Sequence, residues 1–254
     1  MIRLLSSDLD GTLLGDRRAT QRFRTYWEAH NPATRPLLVY NSGRLVDDIE
    51  ALLAVSDLPH PDFIIGGVGT MIGGRLDDDG RRRFRATLGA PFDREALMRV
   101  MRQVDGIQLQ DEAYQHAYKL SWHLHDADDD RVAELEENLA QAGIPARLVY
   151  SSSRDLDVLP RTANKGAALQ WLCRELEIDL AEVAVAGDTG NDRDMFLLPS
   201  VRGIVVGNAL EELRKLAARE PRHYQARRAC ADGVIEGLEH LAALAEKRPT
   251  ATPV

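Results

Sequence analysis

Apolar and polar positions alternate along the chain in two rhythms. Arg3–Ser7 is a short apolar run that stops at an acid-rich turn, which predicts a buried strand. Thr20–His30 repeats apolar residues at helical spacing through Phe23, Tyr26 and Trp27. Pro36–Asn41 predicts a second strand, Leu45–Val55 a helix with Ile49, Leu52 and Leu53 on one face, and Phe63–Ile65 a third strand. This order is the βαβ rhythm of a parallel sheet covered by helices. The middle of the chain differs. Helical stripes at Asp93–Val104 and Asp128–Ala142 are interspersed with strand-like runs at Ile107–Leu109, Tyr118–Leu124, Arg147–Tyr150 and Leu156–Leu159. The first rhythm then returns with helices at Lys165–Leu176, Leu210–Ala218 and Val234–Ala245 and strands at Val183–Ala186 and Gly203–Val206. The pattern predicts an α/β protein. Residues 1–80 and 161–254 would build one parallel core, and residues 81–160 an inserted α+β module.

Composition narrows the class. An apolar fraction of 44% over 254 residues suits a folded core and not a disordered chain. A formal charge of −8, from 32 basic and 40 acidic residues, argues against a nucleic-acid binder. No apolar stretch reaches the length of a membrane span, and Asp8 comes too early for a signal peptide. Cys173 and Cys230 cannot form a disulfide framework, so reduced thiols in a cytoplasmic protein are expected. Lys247–Val254 lacks apolar periodicity and is expected to fray.

Candidate chemistry gathers in four turns. Asp8-Leu9-Asp10-Gly11-Thr12 follows the first strand, at the carboxyl end where open α/β sheets place ligands. If strand geometry continues, Asp8 and Asp10 point the same way, and two converging carboxylates need a cation or a raised pKa. Asn41-Ser42-Gly43-Arg44 follows the second strand and opens a helix. There a hydroxyl and helix-start amides suit an oxyanion, or an ordinary cap. Lys165 opens a helix in Asn164-Lys165-Gly166, against the macrodipole's preference for acids, so it answers either a nearby anion or solvent. Gly187-Asp188-Thr189-Gly190-Asn191-Asp192 supplies two acids of the hard-oxygen kind that suits Mg²⁺, or that caps a turn. Singly, each turn has a plain structural reading. Together, on one sheet edge, they are the parts that phosphoryl transfer needs.

The arrangement resembles the haloacid-dehalogenase superfamily of phosphatases. All four of its motifs are present in order and the resemblance covers essentially the whole chain. The insert follows the second motif, as in members with a large IIB-type cap. Tyr118-Lys119-Leu120-Ser121-Trp122 and Asp155-Leu156-Asp157-Val158-Leu159-Pro160 resemble the sucrose-phosphate phosphatase branch. Within it, Asn41-Ser42-Gly43-Arg44, Ile65-Gly66-Gly67-Val68-Gly69-Thr70-Met71, Tyr114-Gln115-His116 and Leu124-His125-Asp126-Ala127-Asp128 resemble the mannosylfructose-phosphate phosphatases most. The resemblance implies a Rossmann-like doubly wound parallel sheet with an α+β cap, and hydrolysis of a disaccharide phosphate with Mg²⁺. It implies Asp8 as nucleophile and Asp10 as general acid, then base. It implies Ser42, Gly43 and Lys165 around the phosphoryl oxygens, with Thr12 and Asn191 as supporting contacts. The metal would be held by Asp8, the Asp10 backbone carbonyl and Asp188. Asp192 would act through a water or by orienting Lys165.

Sugar selection is expected in the insert. Lys119 and Ser121 lie two apart on a predicted strand, His123 continues that face, and Gln110 and Glu112 could share a neighbouring strand or its end. Lys119 also reads as a solvated strand residue and Ser121 as a sheet filler. Several other features carry less. The glycine spacing of residues 67–73 departs from a dinucleotide fingerprint and predicts a turn. Asp77–Gly80 reads as a turn, and Arg81-Arg82-Arg83 as a solvated loop. His116, His123 and His125 lack the partners of a zinc site, and Trp27, Trp122, Trp171 and Cys173 read as packing. Rival readings are a broad sugar-phosphate or nucleotide phosphatase, and a phospho-acceptor signalling module, which would not need the insert.

Overall fold

Leu4, Leu5, Ser6 and Ser7 of β1 (Leu4–Ser7) are all buried in the computed structural model, which describes residues 1–246. A strand buried on both faces lies inside a sheet, and β1 is paired in parallel on both sides. From it the chain runs through α1 (Arg17–Ala29), β2 (Leu37–Asn41), α2 (Val46–Val55), β3 (Phe63–Gly66) and β4 (Met71–Gly74) to α3 (Asp78–Thr87). The insert contributes α4 (Arg94–Met101), β5 (Ile107–Leu109), β6 (Leu120–Leu124), α5 (Asp129–Gln141), β7 (Ala146–Ser151) and β8 (Asp155–Pro160). The chain returns through α6 (Lys165–Glu175), β9 (Val183–Gly187), α7 (Arg193–Phe196), β10 (Arg202–Val205), α8 (Glu211–Ala217), β11 (Tyr224–Gln225) and α9 (Cys230–Glu246). The segment Lys247–Val254, expected to fray, lies outside the described residues.

The core is a seven-stranded sheet in the order β11-β10-β9-β1-β2-β3-β4, parallel except for the β3–β4 pair. The order reverses at β1, which puts a crevice at the carboxyl ends of β1, β2 and β9. The α/β class, the doubly wound core and the inserted layer agree with the sequence reading. No helix among the described residues is long and apolar enough to cross a membrane. Both cysteines are free and buried, and burial pushes the Cys173 thiol up to about 12, so it packs as an inert group.

One expectation fails and a second holds only in part. Asp77–Arg83 is neither turn nor loop. Asp77 caps α3 by accepting from the Gly80 amide at 2.7 Å, Asp78 and Asp79 occupy the first turn, and Arg85 the last. Those charges suit the helix dipole, while a single large apolar side chain, Phe84, left no stripe to read. Phe84 and Leu88 belong to the core's apolar cluster, so the expected boundary after residue 80 falls inside a core-packed helix. Residues 67–73 are also more than a turn. The chain reverses over 67–70 and returns as β4, antiparallel to β3.

The insert is a four-stranded antiparallel sheet, β5-β6-β8-β7, with α4 and α5 on one face. Leu120, Trp122 and Leu124 of β6 and Leu156 and Val158 of β8 face the helices and join Leu97, Met101, Leu135 and Leu139. The alternate positions face the other way. Among these, Val149 and Leu159 belong to the apolar cluster of the core. The second face of the cap sheet is therefore pressed toward the core, and it also carries Ser121, His123, Asp155 and Asp157.

Candidate active site

Strand geometry stops at Ser7, and Asp8 is the first residue beyond the sheet edge. Its amide still donates to the Ala186 carbonyl at 3.0 Å, which fixes the side chain over the end of β9. Asp8 is buried, and its Oδ1 accepts from Lys165 Nζ at 2.6 Å. The amides of Thr12, Leu13 and Leu14 then converge on the Leu9 carbonyl and close the turn. Gly11 sits at φ +83°, and a Cβ there would overlap the Asp188 carboxylate. Only glycine lets the two acid-bearing turns touch. Because the strand ends early, Asp10 does not share the direction of Asp8. It is exposed at the rim, where Arg44 grips both of its oxygens at 2.7 and 2.8 Å.

Lys165 is fully buried, which excludes the solvated reading. Asn164 caps α6 through the Ala167 amide at 2.7 Å and so places the next residue, Lys165, at the first helical position. Its ammonium donates to Asp8 (2.6 Å), Asn191 (2.9 Å) and Asp192 (2.7 Å). Burial opposes that charge, but Asp192 and Asp8 outweigh it and hold the pKa above the usual lysine value.

Asp8, Asp188 and Asp192 bring carboxylate oxygens within 4.8 Å of one another. Burial raises the Asp8 pKa well above the ordinary carboxylate range against the pull of Lys165, and the charges of Asp192 and Asp188 push the same way. Burial, then the Asp192 charge, push Asp188 up to about 7. Three buried acids facing one ammonium leave negative charge unbalanced, and a small hard cation with oxygen ligands is the group that balances it. Asp8 and Asp188 fit Mg²⁺ on this ground. Asp192 differs: its Oδ1 is bonded to Lys165 and its Oδ2 accepts from the amides of Asp188 (3.0 Å) and Thr189 (3.2 Å). That places it behind the turn, orienting Lys165. Thr12 likewise faces Asp188, donating to Oδ1 at 3.2 Å.

Ser42 and Gly43 lie between β2 and α2, beside these groups. Ser42 is buried and its hydroxyl oxygen accepts from the Arg44 amide at 3.2 Å, leaving its proton to donate. Asn191 uses Oδ1 on Lys165, which leaves its amide NH₂ free among the described bonds. Asp8, Thr12, Ser42, Lys165, Asp188, Asn191 and Asp192 thus meet at one sheet edge.

Across from them, the cap face holds two bonded sets. Buried Lys119 donates to Ser121 at 2.5 Å and pairs with Asp157 at 2.9 Å, while Ser121 donates to Asp157 at 2.6 Å. Gln110 donates to Asp155 at 3.2 Å, and His123 lies 3.0 Å from the same carboxylate. Glu112 is not brought there. It sits on an exposed 3₁₀ turn (Glu112–Tyr114), gripped by Arg94 at 2.6 Å through both oxygens. Sequence reading also left Arg44, Asp155 and Asp157 without roles. The two acids were legible as alternating polar positions on β8 directly opposite His123 and Ser121. The Arg44 contact joins residues far apart in the chain and left no local signal.

Comparison with known proteins gives the family. Residues 1–242 match the family described as sucrose-6F-phosphate phosphohydrolase. A mannosylfructose-phosphate phosphatase of Agrobacterium fabrum is 53% identical over 239 residues, covering 94% of this chain and 96% of that protein. Sucrose-phosphatase 1 of Nicotiana tabacum is 32% identical over 93% of this chain, which spans 58% of that longer protein. The sucrose-phosphatase of Synechocystis sp. PCC6803, solved with sucrose and phosphate, superposes with a TM-score of 0.84 at 31% identity, covering 95% of this chain and 99% of that one. The chain therefore belongs to the sucrose-6F-phosphate phosphohydrolase family of haloacid-dehalogenase phosphatases and is a phosphoric monoester hydrolase.

Proposed function

We propose that this protein is a Mg²⁺-dependent phosphatase of a disaccharide phosphate, mannosylfructose-phosphate in the first place and sucrose-6-phosphate in the second. The observation that carries the substrate class is the polar cap face around Lys119, Ser121, Asp157, Gln110, His123 and Asp155. Val149 and Leu159 turn that face toward the core. A phosphate and a cation are common to every substrate of this chemistry, so discrimination falls to groups lying over the leaving alcohol.

The free oxygen of Asp8 attacks phosphorus while Lys165 fixes the other oxygen of that carboxylate. A bond from Asp8 to phosphorus forms, the bond from phosphorus to the sugar oxygen breaks, and Asp10, protonated and turned out of its pair with Arg44, gives that oxygen a proton. Water then attacks the aspartyl-phosphate, Asp10 takes a proton from it, and inorganic phosphate leaves with Asp8 restored. Ser42, Gly43 and Asn191 surround the phosphoryl oxygens, and Lys165 balances charge that develops there. Asp8, Asp188 and the Asp10 backbone carbonyl would hold Mg²⁺, which would neutralise phosphoryl charge.

A phosphate-release assay tests the reading against mannosylfructose-phosphate, sucrose-6-phosphate, single-sugar phosphates and p-nitrophenyl phosphate. The expected outcome is the highest kcat/KM on one of the two disaccharide phosphates, loss of activity in excess EDTA, and inhibition by Ca²⁺. Ca²⁺ accepts more ligands and lets Asp8 chelate through both oxygens, removing the attacking one. Equal kcat/KM on single-sugar phosphates would replace the reading by a broad sugar phosphatase.

A further inference from the structure

The loop of residues 206–210 touches both acid-bearing turns of the site. On one side the Leu210 amide donates to the Asp188 carbonyl at 2.7 Å, and the Val206 amide to the Gly187 carbonyl at 3.4 Å. On the other, Asn208 Nδ2 donates to the Gly11 carbonyl at 2.8 Å. Gly11 lies between Asp10, whose carbonyl belongs to the metal-holding set, and Thr12, whose hydroxyl bonds Asp188. The same Asn208 amide accepts, through Oδ1, the Cys230 amide at 2.7 Å.

That last bond anchors the loop. Cys230 opens α9 at φ +49°, a conformation that side-chain-bearing residues rarely adopt, and directs its N–H at Asn208. Behind it, Ala231 and Val234 are buried in the core cluster, so α9 is a fixed base. One planar amide therefore ties the nucleophile turn to a rigid helix, while the adjoining backbone ties down the Asp188 turn. Asparagine meets this need because it donates and accepts from one short side chain.

We propose that Asn208 is a positioning residue that sets the separation of the Asp8–Thr12 turn from the Asp188 turn, and through it the affinity of the divalent-cation site. This rests on the metal reading of the proposed function. Asn208 touches neither phosphate nor sugar in that reading. It acts through the Gly11 peptide, and groups that orient metal ligands set affinity nearly as firmly as the ligands do.

The test titrates Mn²⁺ into the full chain and follows the free ion by electron paramagnetic resonance. The proteins are the wild type, Asn208→Leu, which keeps the branched outline and removes both hydrogen bonds, and Asn208→Ala, which gives a second readout if the bulkier leucine does not fit. Tyr224→Phe is the control, since it removes a 2.8 Å bond to Glu236 on the same helix away from the site. Both Asn208 variants are expected to raise the Mn²⁺ dissociation constant about ten-fold, while Tyr224→Phe leaves it unchanged. Their rate of p-nitrophenyl phosphate hydrolysis is expected to recover as metal is raised to saturation. An unchanged dissociation constant with a lowered Tm would make Asn208 a structural residue only and overturn the proposal. If the wild type itself retains no Mn²⁺, the metal reading falls and the proposal with it. If the wild type binds and the variants bind equally, the proposal alone falls.

Discussion

Among the individual residues, Asp188 carries the clearest conflict between stability and function. It is buried and its pKa stands at about 7, against an ordinary value near 4. A raised acid binds its proton more tightly folded than unfolded. Its contribution to stability is therefore present in acid and lost as pH rises through about 7. Asp188→Asn keeps an acceptor for Thr12 and removes that charge. At pH 8 without metal, the variant is expected to melt a few degrees above the wild type, at roughly 2–4 °C per kcal/mol for a chain of this size. Mg²⁺ should raise the Tm of the wild type and not of the variant. A wild type that melts higher at pH 8 in EDTA would contradict the assigned strain. In the wild type, protons compete with metal, so apparent Mg²⁺ affinity should fall as pH drops below about 7. Asp8→Asn is the companion test. It is nearly isosteric but does not attack phosphorus, so turnover should fall below about a hundredth of the wild-type rate with the fold intact. Retention of more would exclude covalent catalysis by Asp8. These residues were legible in the sequence because each motif turn directly follows a strand or opens a helix. Glu112 could be placed only on a strand or its end by spacing from Gln110; its ion pair with Arg94, far off in the chain, holds it on an exposed turn.

Elements reveal where sequence reading thinned out. Strong periodicity marked β1, β2, β9 and the long helices, and these match the structure within a few residues. α3 was missed because its stability comes from a capped, charge-matched end and one buried aromatic, Phe84, not from an apolar stripe. β4 was missed because glycines at 73 and 74 hide a strand whose partner is supplied by β3. The turn between β3 and β4 has a consequence for the site. Gly69 sits at φ +89°, and a Cβ on it would overlap the Asn164 carbonyl at the start of α6. That carbonyl immediately precedes Lys165. Gly69→Ala is expected to cost roughly 1–3 kcal/mol from backbone strain and to shift the base of Lys165. Its kcat should fall by more than its Tm loss explains at an assay temperature well below unfolding. A Gly69→Ala protein with wild-type kcat would show that α6 is not seated by this turn.

At the scale of the whole molecule, the candidate groups lie on two layers that sequence reading could separate but not orient. Alternation along β6 and β8 told which residues share a face; it could not tell that Val149 and Leu159 would press that face against the core. With the face so placed, Lys119 is not a solvated strand residue, and Ser121 is bonded to it. Both are buried and joined through Asp157, at 2.9 and 2.6 Å. A buried cation held by a carboxylate and a hydroxyl is a pre-oriented donor, and a sugar hydroxyl that loses it forfeits roughly 1–3 kcal/mol. Lys119→Ala should therefore lower kcat/KM on a disaccharide phosphate by about ten- to a hundred-fold and leave p-nitrophenyl phosphate, which has no sugar, near the wild-type rate. The substitution also leaves Asp157 without its ammonium, so Tm is measured alongside, and Ser121→Ala repeats the test without stranding a charge. Equal losses on both substrates would assign Lys119 to folding or to the chemical step. No loss on either would move sugar selection to the neighbouring set of Gln110, His123 and Asp155, where Gln110→Ala then becomes the decisive variant.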